Sequence, residues 1–466
     1  MNQYSATSCQ HTAEERHRLR CMRADLSRTV EPGDVLAGVA IAELGVARVH
    51  HLLVTGGPAT VQELERVSIA AASDGLGPRQ RRLADGLARW RTRLGQTDGE
   101  RDIHRMAALG GGILIPEDPE WPAVMNDLGS AAPVALWYRG PLSGPRAGSA
   151  PDTPSMPSAL PSAPATGVIS TARLPVHHRS VAIVGSREIS DYGRRVAAEF
   201  AGELSLHGIS VISGGAYGVD AMAHRAALRA ATAPTYAVLA GGLDRWYPAG
   251  NEALLRDIAS QGLILSEMPL GAAPTRHRFL QRNRLIAALA AATVIVEARW
   301  RSGAQNTAHH ALNLDRPVAV VPGSVHSPTS AGCHRLLKET PAALVVDAAD
   351  VVELIAAAGA DSATGSAERA HRTPARSPGP VLEALPIPSS GPQAETGSAS
   401  TIGLYDTLSD VDKRVFDALP LRQLSSPSKL SAVSGLPVPQ LLSGLTRLER
   451  IGLARAVNNH WGRQRE

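Results

Sequence analysis

The chain has 466 residues, 44% hydrophobic and 19% charged, with 47 Lys+Arg against 43 Asp+Glu and a formal net charge of +4. This length allows two or three domains at roughly 150 residues each, and the apolar content excludes a wholly unstructured chain. Charge so nearly balanced excludes no partner by itself. The three cysteines, Cys9, Cys21 and Cys333, form neither a metal-ligand pair nor a disulfide framework, which points to a reducing, cytoplasmic setting.

Residues 1–30 are polar, lack the apolar centre of a signal peptide and read as a disordered tail. Residues 31–140 form an N-terminal region. Its first part is helical, with DVLAGVAIAELG, ARVHHLLVTGG and TVQELERVSIAAAS separated by glycines, as in a small bundle with helix-hairpin-helix or SAM-like turns. Two short strands, in GGILIP and PVALWYRG, close it. Residues 141–178 are dominated by Pro, Ala, Ser and Gly and read as a disordered insertion, too poor in large apolar groups to offset their ordering entropy.

Residues 179–358 alternate strand and helix. VAIVG, ISVIS, TYAVLAG, LILSE, TVIVEA, PVAVVPG and AALVVD are continuous apolar runs, the pattern of strands buried on both faces, with stretches of helical length between most of them. The expected class is α/β: a doubly wound, mostly parallel sheet with ligands gathered at the carboxyl ends of its strands. A second low-complexity stretch, 359–404, reads as a disordered linker. Residues 405–466 show three helical patterns and a hairpin, the outline of a winged helix. No run of 18 apolar residues suggests a membrane span.

Four strand ends carry the candidate site. After the first strand, Gly185, Ser186 and Arg187 offer a tight turn, a hydroxyl and a charged fork before a helix N-terminus, a setting suited to phosphate. After the second, Ser213, Gly214, Gly215 and Gly218 allow close backbone approach. Asp220 is read there either as a helix cap or as an organiser of the loop. In RHRFLQRNRLIAAL, read as a basic loop before a buried helix, Phe279, Arg282, Asn283 and Arg284 combine charges for phosphates with a ring on which an unpaired base can stack. Ser302 and Gly303 repeat the small polar turn after TVIVEA.

No cofactor is expected. The first loop lacks the G-x-G-x-x-G fingerprint, and the second strand ends in Ser213-Gly214 instead of an acidic ribose ligand. No nucleoside triphosphate loop, hydrolase elbow or zinc spacing occurs. Glu267 and Glu297 end strands near the site, but no metal- or water-organising partner is evident beside them.

The stretches VGSREISDYG, SGGAYGVDAMAH, GGLDRWYPAGN, SEMP, FLQRNRLIAAL, VEARWRSGAQNTA and VPGSVHSPTSAG, in this order, resemble the DprA/Smf (DNA-processing protein A) family across about 180–350. The resemblance implies an extended Rossmann-like core that binds single-stranded DNA, loads RecA recombinase onto it in natural transformation, and forms a homodimer. It implies DNA contact for Arg187, Phe279, Arg282, Asn283 and Arg284, and loop roles for Ser186, Gly214, Gly215, Ser302 and Gly303. The sequence departs from the family pattern at Leu280, where Pro is usual, and at His334, where Asn is common.

Two other readings remain open on the sequence. A nucleotide-hydrolysing enzyme on a similar scaffold would carry a PGGxGTxxE loop, and VPGSVHSP lacks it. A transcription regulator built on the winged helix would prefer duplex DNA.

Overall fold

A computed structural model describes residues 12–142, 174–368, 408–420, 424–457 and 460–464. Most of the expected insertion (143–173) and of the expected linker (369–404) lies outside the described residues.

The polar start is not a tail from Ala13 onward. Helix α1 (Ala13–Thr29) opens with a capping box, in which Thr12 and Glu15 each receive the other's backbone N–H. Its arginines reach buried or half-buried acids: Arg20 pairs with Asp118 at 2.6 Å, Arg23 with Glu117 at 2.7 Å and Arg28 with Asp102. Composition alone hides this, because the partners lie 74–98 residues away.

Helices α2 (Val35–Leu44), α3 (Val46–Thr55), α4 (Val61–Ser73) and α5 (Leu83–Arg91) pack with α1 around Leu26, Leu36, Val49, Leu53, Leu83 and Trp90. The α2 and α3 axes meet at 111° about Gly45, and no single helix among the described residues is long and apolar enough to cross a membrane. Helix α6 (Gly99–Ala108) leads into strands β1 (Gly111–Leu114) and β2 (Leu136–Arg139).

The α/β core then runs β3 (Ser180–Val184), α7 (Asp191–Leu206), β4 (Ser210–Ser213), α8 (Val219–Ala230), β5 (Thr235–Leu239), α9 (Glu252–Gln261), β6 (Leu263–Ser266), α10 (Arg276–Leu289), β7 (Ala292–Ile295), α11 (Gly303–Asn313), β8 (Val318–Val320), α12 (Ala331–Glu339), β9 (Ala343–Leu344) and α13 (Ala348–Glu368). One sheet of nine strands has the order β1-β2-β6-β5-β4-β3-β7-β8-β9. Strands β3 to β9 are parallel, while β2 joins β6 antiparallel, pairing Trp137 with Ser266, and β1 joins β2. The two strands of the N-terminal region thus extend the core sheet.

Every residue of β3, β4, β5, β6 and β7 is buried. One face carries α7 and α8 through Val196, Phe200, Leu204 and Val219; the other carries α10 and α11 through Leu285, Ile286, Leu289, Ala304 and Ala308. Each large side chain so covered contributes about 1.5–3 kcal/mol. The chain builds outward from β3 to β6 and then returns to β3's other side as β7. Between those two directions a sheet opens a crevice at its carboxyl edge.

The last segment forms α14 (Asp410–Ala418), α15 (Pro427–Ser434), α16 (Val438–Arg450) and an antiparallel pair, β10 (Ala454–Val457) with β11 (His460–Arg463). It has its own core of Val415, Leu430, Leu441, Leu445, Leu448 and Trp461. It rests on the start of α10: the Asp417 carboxylate accepts the His277 N–H at 2.8 Å.

Candidate nucleic-acid interface

Gly185 begins the first loop because a Cβ there would lie 2.6 Å from Val219 Cγ2 and 2.8 Å from the Glu297 carbonyl. Ser186 is held on both sides: its N–H donates to the Glu297 carbonyl at 2.8 Å, and its hydroxyl donates to the Glu188 carbonyl at 2.7 Å. The loop therefore delivers Arg187 outward in a fixed direction. Arg187 is exposed.

The second loop turns back on itself. Gly215 and Gly218 adopt φ of +65° and +80°, open to glycine at no steric cost. A Cβ on Gly218 would stand 2.1 Å from the Ser186 carbonyl, so the two loops touch. The helix cap of α8 is Gly218, not Asp220. Asp220 accepts instead from the N–H groups of Gly214 at 3.1 Å and Ala216 at 3.3 Å. Burial pushes its carboxyl up, and the Arg282 charge offsets this only in part. Ser213 donates inward to the Ile183 carbonyl at 2.7 Å, so its hydroxyl braces the strand.

The arginine-rich stretch is helix, not loop. Thr275 caps α10 by accepting from Arg278 N–H at 3.2 Å, and the 14 residues to Leu289 continue without a break. This winding sorts the basic groups by face. Arg282 turns inward and donates to the carbonyls of Gly214, at 2.9 Å, and Val238. Burial lowers its pKa to about 10, which leaves it cationic at neutral pH. Asn283 donates to the Gly303 carbonyl and to Asn306, and Arg284 is buried against Glu267, at 2.7 Å, and the Ala131 carbonyl. Arg282, Asn283 and Arg284, expected to meet the strand directly, are committed to the protein. They fix where α10 sits.

Phe279 is the outward-facing member. The Arg187 guanidinium lies 4.9 Å from its ring centroid, that of Arg282 lies 5.8 Å away, and the Tyr247 ring stands 5.7 Å away at 52°. Arg187 and Arg282 thus converge on one ring. Beside it is a cavity of about 220 Å³ lined by Gly241, Gly242, Trp246, Tyr247, Pro274 and Phe279, among others. Tyr247 is 48% exposed and Tyr217, one loop away, is 47% exposed. The sequence reading had not singled out Tyr217, Trp246 or Tyr247. Their signal was the Trp-Tyr pair in GGLDRWYP, after the strand TYAVLAG, and the single tyrosine in GGAYG.

Ser302 caps α11, accepting from Ala304 N–H at 3.2 Å, and Gly303 is exposed beside it. The two terminal carboxylates do not face one another as an acid–base pair. Glu267 is engaged by Arg284, and Glu297 accepts from the Ser190 N–H and hydroxyl and from the Thr329 hydroxyl. No cluster that could hold a metal occurs among the described residues.

A mostly parallel α/β sheet with a basic, aromatic site on its carboxyl edge defines the class. The family model for DNA recombination-mediator protein A matches residues 149–356. A DNA processing protein DprA of Mycobacterium tuberculosis is 40% identical over 371 residues, covering 77% of this chain and 79% of that protein. The protein Smf of Synechocystis is 30% identical over 344 residues, covering 73% and 77%. The chain belongs to the DprA/Smf family of DNA-processing proteins. Among solved structures, DNA processing protein A of Streptococcus pneumoniae matches with a TM-score of 0.49 and 25% identity, covering 71% of this chain and 95% of that one. The Helicobacter pylori protein, described for its single-stranded DNA binding mode, matches with a TM-score of 0.41 and 26% identity, covering 53% and 96%.

Proposed function

We propose that the carboxyl edge of the sheet binds single-stranded DNA without sequence preference and without altering it, and that the protein, as a homodimer, hands the strand to RecA recombinase. One observation carries the DNA-binding part: Arg187 lies on the Phe279 ring, with Tyr247 alongside, at the crevice where the sheet reverses direction. Arginine neutralises phosphate, and an aromatic face stacks any base that is not already stacked in a duplex. Gly185, Ser186, Gly214, Gly215 and Gly218 shape the two loops at this crevice, and Ser302 and Gly303 flank it. Arg282, Asn283 and Arg284 support binding by holding α10 in place. The recombinase step follows the family's description as a recombination mediator.

The terminal three helices and hairpin are read as a winged helix, docked on α10 by its first helix. In this reading it adds to DNA handling without being the primary site. The test is a salt-titrated binding assay on oligothymidylate and on duplex of equal length. The intact protein is expected to prefer the single strand and to lose affinity linearly in log salt. Arg187→Ala combined with Phe279→Ala abolishes the preference, whereas a chain ending at residue 404 keeps it. Loss of binding on that truncation, with duplex preferred by the intact chain, identifies a winged-helix regulator instead.

A further inference from the structure

The loop between β7 and α11 carries an exposed tryptophan that the site described above does not use. Trp300 is 55% exposed, in a protein where Trp90 and Trp137 are among the largest fully buried side chains. Its backbone is nonetheless pinned. Gln305 donates to the carbonyls of Arg299 and Trp300 at 2.8 and 2.7 Å, and Gly332 donates to Ala298 at 2.7 Å. The Arg335 guanidinium rests 5.0 Å from the Trp300 ring centroid, and Arg335 is itself held by Glu339 at 2.7 Å. A large apolar ring is thus kept in solvent on a rigid loop, with a cation over the ring.

This loop belongs to the same edge as Arg187. Strand β7 is the parallel neighbour of β3, and Arg299 reaches across to Glu188 at 2.6 Å, so the residues next to Trp300 and Arg187 are bonded to each other. Arg301, beyond Trp300, is exposed, with no ion pair among the described residues. Tyr192, in the first turn of α7, is 43% exposed and donates to the Pro322 carbonyl. Following the sheet order β5-β4-β3-β7, the loops at this edge carry Tyr247, then Tyr217, then Arg187 with Phe279 of α10 against it, then Trp300 with Arg301. The loops after β5 and β7 stand three strand spacings apart, about 14 Å. An extended nucleic-acid strand covers that in a few nucleotides.

We propose that Trp300, flanked by Arg299 and Arg301, is a second base-stacking station, and that the single strand runs along the sheet edge from Phe279 across Arg187 to Trp300. The proposal rests on the single-strand reading above and adds the direction and length of the track. Stacking explains the ring's exposure, since a base covers its apolar face only in the complex, and the arginines answer the phosphates on either side.

The test compares the full chain with Trp300→Ala and Trp300→Phe on a thymidine dinucleotide, too short to run the length of this edge, and on an oligothymidylate of about twelve nucleotides, within common site sizes. Trp300→Ala is expected to weaken the longer oligonucleotide about tenfold and the shorter one little. Trp300→Phe should restore most of that loss while removing the part of the DNA-induced tryptophan quenching that depends on length. Arg187→Ala should weaken both oligonucleotides. Equal affinity of wild type and Trp300→Ala for the longer oligonucleotide overturns the track, as does an equal loss on both lengths. If Arg187→Ala binds normally while Trp300→Ala fails on the longer strand, the Phe279 site is misassigned and the Trp300 station stands. If the intact chain binds neither oligonucleotide, both readings fall.

Discussion

The Arg187 guanidinium stands 4.9 Å from the centroid of the Phe279 ring, so a charge from the loop after β3 meets the π-face of a residue on α10. The two groups answer different parts of a nucleotide, and two substitutions separate them. Arg187→Ala removes a phosphate contact and should lower the slope of log affinity against log salt by about 1. Phe279→Leu keeps the charge, so the slope should hold while affinity drops by about 1–3 kcal/mol at every salt concentration. Fluorescence anisotropy over a salt series reads both quantities. An unchanged slope in Arg187→Ala removes that side chain from the interface.

Arg282 carries a different expectation. It donates to the Gly214 and Val238 carbonyls from a fully enclosed position and opposes the Asp220 carboxylate. Arg282→Met fits the space but leaves two carbonyls without a donor and a buried acid without its counter-charge. Such losses cost about 3 kcal/mol. The variant should unfold at markedly lower temperature and lose DNA affinity through disorder of the Gly214 loop. Melting at the wild-type temperature would show that Arg282 is not the brace described.

The α/β order was legible because seven continuous apolar runs can be satisfied only as strands covered on both sides. The Arg187 loop was legible too, since Gly-Ser-Arg at a strand end has few structural uses. The fate of Arg282, Asn283 and Arg284 was not. Three adjacent polar residues look alike in a sequence, but on a helix they lie about 100° apart. Here all three directions meet protein: a glycine loop, the α11 N-terminus and Glu267. Helix α1 was missed for the related reason that its counter-charges Asp102, Glu117 and Asp118 are distant in sequence. The pairing of β2 with β6 was hidden by the Pro/Ala/Ser-rich stretch between β2 and the core.

Acid should destabilise the core before carboxylates titrate. His224 is fully buried on α8, and the Thr235 hydroxyl, which donates to the Val211 carbonyl, accepts from its ring. Burial, then the Arg282 charge, pulls its pKa from 6.5 to about 3. Burial likewise pulls His177 and His310 to about 4. An unfolded chain protonates these rings below about pH 6.5, while the folded chain does not until pH 3–4. Between those values the unfolded state holds more protons, so stability is lost as pH falls, by up to about 1.4 kcal/mol per unit for each histidine. Denaturant titrations at pH 7, 6 and 5 should show this slope, and His224→Gln should flatten it by roughly one third. A variant with the wild-type slope would refute the assignment of that share to His224.

A second carboxylate, besides Asp417, fastens the C-terminal unit to the rest of the chain. Burial pushes Glu31 up, but Arg278 at 2.9 Å, Arg93 in contact and Arg414 of α14 more than offset this and hold it well below the usual carboxylate range. Three arginines from the N-terminal region, α10 and the C-terminal unit therefore share one buried anion. Glu31→Gln keeps the shape and removes the charge, leaving three guanidinium groups in mutual repulsion, a loss of about 3–5 kcal/mol for a broken buried network. The loss should concentrate at the junction, because α14 and α15 have a separate core around Val415 and Leu430. Hydrogen exchange should accelerate in α14, α15 and the first turn of α10, while β3 to β7 stay protected. The wild type should loosen at the same junction progressively as pH falls below the usual carboxylate range, and fully only in strong acid, since a group with a lowered folded pKa stabilises above its unfolded value and loses that contribution as pH falls through the folded one. Uniform acceleration across the sheet, or none at α14, would show that Glu31 is not what fastens this unit to the core.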